Sequence, residues 1–340
     1  MSLNKQEKKK KNSHKKALIV IGCIAVLIVA LIAAGAGAVN HYLNKINKVD
    51  DNVADVISPD MEDFETEAPG ENAAEADTLD PDAVQWGNAE NLSDDHLLNI
   101  LLVGQDRRAG QPRQRSDTMI LCSINTETKQ ISLISFMRDL YVQIPGGYSD
   151  NRLNAAYAFG GFPLLDDTLT VNFGVHVDAN IEVDFERFIS VIDTLGGVDI
   201  ELTAAEAEIV KDGAVAGMNH LSGEQALRYA RIRKIDSDFN RTERQRKILE
   251  EVFEKTKSLS LKEMLSLADV ILPSLTTDLD NGEMISLLVK CFPIISSGQL
   301  NSYRVPADNA YYDARIRGMA VLVPDLALIR EHLRQEYLPL

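Results

Sequence analysis

The sequence predicts an α/β fold in which a central mixed β-sheet is flanked by helices, forming a single extracellular domain behind an N-terminal transmembrane helix. Three observations carry this. From His96 onward, strand-like apolar runs and amphipathic helical runs interleave with no internal repeat. Between Lys16 and Asn40 lie 23 uncharged residues, ALIVIGCIAVLIVALIAAGAGAV. At 1.5 Å per residue they reach about 34 Å as a helix, enough to cross a hydrocarbon core. Charge, finally, comes in blocks: residues 1–16 carry seven lysines against one glutamate, and residues 50–95 carry sixteen Asp or Glu and no Lys or Arg.

The segments follow in chain order. Residues 1–16 read as a cytoplasmic basic tail that orients the helix of residues 17–39 with its N-terminus inside. Ala36-Gly37-Ala38 resembles a processing site, but the apolar run exceeds the roughly 7–15 residues of a cleaved signal core, which favours an uncleaved anchor. Residues 40–95 read as a disordered acidic tether, rich in Ala, Asn and Pro, without apolar periodicity and with Trp86 inside it. Residues 96–340 are then the extracellular domain. Of the net charge of −16, about −8 remains there, so nucleic acid is not an expected partner. Cys23 lies in the apolar run. Cys122 and Cys291 are lone thiols inside apolar stretches, with neither disulfide nor metal spacing, and read as small core residues.

Within the domain, LLNILLVG reads as a buried strand, and TMILCSIN and KQISLISF as a hairpin turning at NTETK, with DLYVQIPGG extending the sheet. NAAYAFGG and FPLLDDTLTVNFG read as helices ending at glycines, DANIEVDF as a strand, FERFISVIDTLGG as an amphipathic helix and VDIEL as a strand. SGEQALRYARIR is a helix capped by Ser222. Further helices are expected near 241–258, 261–272, 281–295 and 325–337, with SYRVPA as one more strand.

Charged side chains gather at strand ends and helix starts, where sites are built on a rigid scaffold. Asp106 follows the strand NILLVG and Asp117 opens the strand TMILCSI, so the two carboxylates can meet at one edge of the sheet and suit a hard divalent cation. The same aspartates also suit simple charge balance with Arg107, Arg108, Arg113 and Arg115, and spacing does not separate the two readings. Arg138 and Asp139 stand where ISLISFMRD leaves the sheet, and Arg152 just before LNAAYAFGG. The window 228–247 holds eight basic residues against three acids. Guanidinium forks match phosphate oxygens, so this excess points to a phosphate or pyrophosphate rather than a neutral sugar. Salt bridging would need acids that the window lacks. From Arg241 in SDFNRTERQRKIL onward, steps of about 100° put Arg241, Arg244, Gln245, Ile248 and Val252 on one face, with Arg246 about 140° from Arg241 and outward. Asn240 with Glu243 reads as a cap and its capping-box partner, which sets the arginines at the positive end of a helix.

The set NILLVGQDRR, RSDTMILCSIN, SFMRDLYVQIPG, NAAYAFGG, DFERFISVIDTLGGVDIEL, LSGEQALRYARIRK and DSDFNRTERQRKIL, in this order behind an anchor, resembles the LytR-CpsA-Psr family from about Asn99 to Leu249. The resemblance implies a phosphotransferase that attaches glycopolymers such as teichoic acids or capsular polysaccharide to peptidoglycan in a Gram-positive cell wall. The implied donor is a polyprenyl-pyrophosphate-linked glycopolymer, and the implied cofactor is Mg2+, or Mn2+ in its place. The resemblance implies metal binding by Asp106 and Asp117, and pyrophosphate binding by Arg138, Arg152, Arg231, Arg233, Arg241, Arg244 and Gln245. Arg138, Asp139 and Arg241 are the candidate catalytic groups; the resemblance does not settle the general base, for which Asp139 is a candidate. Met137 stands where the family usually has proline, and Arg152 where lysine is common; both change shape more than charge. A polyprenyl-pyrophosphate receptor without transferase activity and a lipid pyrophosphatase would use similar binding residues.

Overall fold

The computed structural model describes residues 36–49, 77–87, 89–105, 115–184, 188–232, 238–256, 259–295 and 299–340. The chain begins with α1 (Ala36–Leu43) and β1 (Asn47–Lys48). After it come β2 (Leu97–Gln105), β3 (Ser116–Asn125), β4 (Gln130–Phe136), β5 (Tyr141–Val142) and β6 (Asn151–Arg152). Next are α2 (Leu153–Phe173), β7 (Ala179–Asp184), α3 (Phe188–Thr194), β8 (Val198–Leu202), α4 (Ala204–Val210) and β9 (Gly217–Leu221). They are followed by α5 (Gly223–Ala230), α6 (Asp238–Thr256), α7 (Leu261–Ile271), β10 (Leu275–Thr277) and α8 (Asn281–Ile295). The chain closes with β11 (Gln299–Val305), β12 (Tyr311–Ile316), β13 (Met319–Pro324) and α9 (Leu326–His332). Parallel and antiparallel pairs both occur, β1 with β10 and β2 with β3 with β4, as a mixed sheet flanked by helices requires. Two compact units emerge, one from residues 1–48 and 184–302, the other from 49–183 and 303–340.

In the second unit the strands lie in the order β7, β2, β3, β4 and the end of β11. β3 is central, so its apolar residues are covered on both faces: Leu121 and Cys122 are fully buried, as are Leu101 of β2 and Ile134 of β4. The predicted pair of helices from Asn154 to Phe173 is one run, α2, broken at Gly161, whose φ of 66° lies outside helical space. It ends at Gly174 in the left-handed region, where an added Cβ would fall 1.9 Å from the Glu90 carbonyl oxygen. β12 and β13 form a hairpin whose inner residues pack on Tyr141, Leu79, Val84 and Trp86.

That contact revises the tether. Of residues 40–95, read as a disordered tether, 40–48 enter α1, β1 and the turn between them, and the chain is structured again from Asp77 onward, apart from Asn88, which lies outside the described residues. Leu79 donates its backbone N–H to the Arg315 carbonyl, Trp86 donates its indole N–H to Asp150 at 3.0 Å, and Leu92 donates its N–H to the Gly174 carbonyl. A few apolar residues, Leu79, Val84, Trp86 and Leu92, suffice to dock a segment whose composition is otherwise that of a linker.

In the first unit, Ile192, Val198, Ile200, Val210, Leu221, Ala226, Tyr229, Ile248 and Val252 form a core beneath the β8–β9 hairpin. Cys291 is buried in α8, and burial pushes its thiol pKa up to about 12, an inert core thiol as the sequence suggests. The apolar run of residues 17–39 lies outside the described residues except for Ala36–Val39. Among the described residues no helix is long and apolar enough to cross a membrane.

Candidate functional site

Two arginine clusters take shape, one in each unit. In the second unit, β4 ends at Phe136 and the chain turns at once, with Leu140 N–H donating to the Met137 carbonyl. Asp139 is pinned through its carbonyl, which accepts from Leu322, and Arg138 through its own, which accepts from Asn154. Arg152 arrives from β6, opposite Tyr141 on β5. Its Nε and Nη2 both donate to the Ala320 carbonyl, at 3.0 and 2.7 Å, and its Nη1 lies 3.4 Å from Asp139 Oδ1. Arg138 Nε lies 3.5 Å from Asp139 Oδ2. One carboxylate thus orients two guanidiniums, which the β5–β6 pairing brings together at a strand end.

In the first unit, α5 opens with the predicted Ser222 cap, which accepts from Gln225 N–H while Gln225 answers with its own side chain. α5 ends with Arg231, exposed, at its C-cap. Helix α6 begins at Asp238, three residues earlier than expected, so Asn240 lies inside it and is not its cap. The predicted face holds: Arg241, Arg244, Ile248 and Val252 are all buried, the two arginines at 2% and 3% exposure, with Gln245 half-buried. Arg233, and the side chain of Arg246, lie outside the described residues.

The acids missing from the 228–247 window come from elsewhere in the chain. Arg228 pairs with Asp212 and donates to the Val210 carbonyl. Arg244 Nε donates to Glu206 Oε1 at 2.8 Å, and its Nη1 to the Ile232 carbonyl at 3.2 Å. Glu206 is not among the residues that the sequence singles out. It sits in the first turn of α4, where Thr203 and Glu206 form a capping box that orders the carboxylate. Burial pushes the Glu206 carboxyl up, but the Thr203 N–H and hydroxyl together with the Arg244 guanidinium outweigh it and hold the pKa below its ordinary value. The available signal is the spacing Thr203-x-x-Glu206 ahead of apolar residues, which names a cap but not its distant partner.

For the expected metal, the backbone is informative. Gly104 pairs with Thr118 and Gln105 with Ser116, so Asp117 is the extra residue of a bulge. In sequence, Asp106 follows Gln105, the last residue of β2. Carboxylates are hard-oxygen donors of the kind that a divalent cation takes. Asp106 and the Asp117 side chain lie outside the described residues. Among the described residues no three His, Cys, Asp or Glu side chains come together as a metal site.

An α/β scaffold of this kind is shared by solved structures of TagT. TagT bound to LIIa-WTA is 26% identical, with a TM-score of 0.57 over 74% of this chain and 96% of that one. TagT of B. subtilis is also 26% identical, with a TM-score of 0.56 over 75% and 98%. The profile of the LytR_cpsA_psr family matches residues 63–332, and the chain belongs to that family. Curated relatives named polyisoprenyl-teichoic acid–peptidoglycan teichoic acid transferase TagU include one of Bacillus anthracis, 35% identical over 175 residues, 50% of this chain and 56% of the relative. One of Enterococcus faecalis is 33% identical over 199 residues, 57% of this chain and 65% of the relative. The chain thus spans somewhat more than half the length of the curated relatives it matches.

Proposed function

We propose that this chain is a phosphotransferase that moves a glycopolymer from a polyprenyl-pyrophosphate carrier onto a muramic acid hydroxyl of peptidoglycan, at the outer face of a Gram-positive membrane. The observation that supports this most directly is the Arg138–Asp139–Arg152 cluster, in which one carboxylate orients two guanidiniums at a strand end. Relatives named as teichoic acid transferases supply the class of polymer.

In this reading the hydroxyl oxygen attacks the sugar-linked phosphorus, the bond from that phosphorus to the bridging oxygen breaks, and polyprenyl phosphate leaves. The chemistry needs positioning and charge neutralisation more than covalent help. Arg138 and Arg152 are the phosphate-binding groups of the second unit, and Arg231, Arg233, Arg241, Arg244 and Gln245 the phosphate-binding candidates of the first. Asp139 orients Arg138 and Arg152 and is the candidate acceptor of the hydroxyl proton. Asp106 and Asp117 would hold Mg2+ or Mn2+, which supplies Lewis-acid neutralisation of the phosphate oxygens.

Product analysis with a lipid-linked donor, with and without a glycan acceptor, tests the proposal. Polymer–glycan product formed only with acceptor is the expected result. Free sugar phosphate in both arms would mark a pyrophosphatase, and binding without turnover a receptor.

A further inference from the structure

We propose that the exposed face of α8 is a bilayer-contacting surface, seated on the lipid headgroup and upper acyl region of the membrane that holds the anchor. The inference rests on the reading of residues 17–39 as a transmembrane helix and adds to it a second point of contact. Helix α1 takes up the last four residues of that segment and continues to Leu43. Leu43 is 2% exposed. Four residues of helix rise about 6 Å, comparable to the headgroup layer on one side of a bilayer. Docking therefore begins where the membrane ends, with no slack between them.

The docking is polar and specific. Asn44 Oδ1 accepts from Asn281 Nδ2 at 2.7 Å, at the first residue of α8. Lys45 pairs with Asp269 at 2.5 Å, and Asn47 donates to the carbonyls of Pro273 and Leu275. β1 then pairs in parallel with β10, and Lys48 donates to the Leu279 carbonyl at 2.6 Å. The start of α8 is thereby fixed at headgroup level.

Helix α8 turns Met284, Cys291 and Ile294 inward, all buried. On a wheel of about 100° per residue the opposite direction falls on Gly282, Ile285, Ser286 and Val289. No charged residue is among them. Ile285 is 40% exposed and Val289 59%, although both are large and apolar. Lys290 lies about 100° around the helix from Val289 but about 40° from Ser286, and Glu283 about 60° from Ser286, so both exposed charges border the strip on that side. An uncharged strip with β-branched apolar residues, held at the membrane surface by a short rigid connection, has the lipid interface as its fitting partner. Burial in the interface would also keep this unit at the depth where a polyprenyl-linked phosphate lies.

The test uses the full chain in vesicles of phosphatidylglycerol and phosphatidylethanolamine, with Cys23 replaced by Ser and single substitutions Ile285→Cys, Val289→Cys or Lys290→Cys labelled with an environment-sensitive fluorophore. Cys122 and Cys291 are buried and do not compete for label. The expected result is a blue-shifted emission at positions 285 and 289, quenched by a lipid-borne nitroxide and shielded from iodide, with position 290 more open to iodide. Flotation with the vesicles together with equal iodide quenching at all three positions would overturn the surface alone. Failure of the chain to float would overturn the anchor reading and the surface with it.

Discussion

The two arginine clusters use the same side chain in opposite ways. Around Asp139, two guanidiniums share one carboxylate at 3.4 and 3.5 Å, and the acid is about one fifth exposed. Around Glu206, one guanidinium meets one carboxylate at 2.8 Å, with both side chains below a tenth exposed. In the first, one acid holds two cations at a strand end, an arrangement that suits an incoming phosphate. In the second, the two charges are desolvated together, so much of what Arg244 does is to hold α6 against α4 and the Ile232 carbonyl. Arg138 and Arg244 are therefore not interchangeable contributors to a site.

The largest effect expected from this contrast is on stability. Arg244→Ala leaves Glu206 buried without its cation and should cost about 3–5 kcal/mol, the range for breaking a buried ion pair by removing one partner. Thermal unfolding of the purified protein measures it. The double substitution Glu206→Gln with Arg244→Met should recover much of the loss. If the double variant is as unstable as Arg244→Ala alone, the contact is not an ion pair of this kind.

At the other cluster the balance should reverse. Arg138→Ala removes a charge-assisted phosphate contact worth about 1.5–3 kcal/mol, so donor affinity should fall about tenfold to a hundredfold. Its melting temperature should move far less than that of Arg244→Ala. Equal losses of stability in the two variants would erase the distinction between them.

How far this is legible in the sequence depends on where each signal lies. The helical face Arg241, Arg244, Ile248 and Val252 is readable because periodicity is local, and so is the Ser222 cap. Glu206 is not, because it meets Arg244 across 38 residues of chain. The β12–β13 hairpin is hidden too. Its two-residue turn, Arg317-Gly318, has positive φ at both positions, 51° and 82°, as a type I′ turn requires. Arginine at the first position masks that turn, since Asn or Asp is the usual signal. β9 escapes because Met218 and His220 point outward, so the strand's one large apolar residue besides Leu221 lies on the wrong face for an alternation search.

A pH series sharpens the comparison further. The folded-state pKa of Glu206 lies below its ordinary value of 4.5, so its contribution to stability is present above that value. It is lost as the pH falls through the lower folded value. Thermal scans between neutral and acidic pH should show the wild type losing more stability below pH 4.5 than Glu206→Gln, whose side chain does not titrate. Parallel curves for the two proteins would show that the carboxylate is not stabilised by its partners.

The smallest effect belongs to a bridge on the same helix. Lys247 lies 3.3 Å from Glu243, one turn away, but the two side chains are 39% and 53% exposed. Water screens the pair, and fixing two long side chains costs entropy, so Lys247→Ala should change stability by no more than about 0.5 kcal/mol. That places two ion pairs on one helix, a single turn apart, at opposite ends of the scale. Raising the salt concentration should abolish what little the Lys247 pair contributes while leaving the cost of Arg244→Ala nearly intact, because the buried pair is shielded from mobile ions. A Lys247→Ala variant as destabilised as Arg244→Ala would mean that desolvation, which separates the two pairs here, is not what sets their strength.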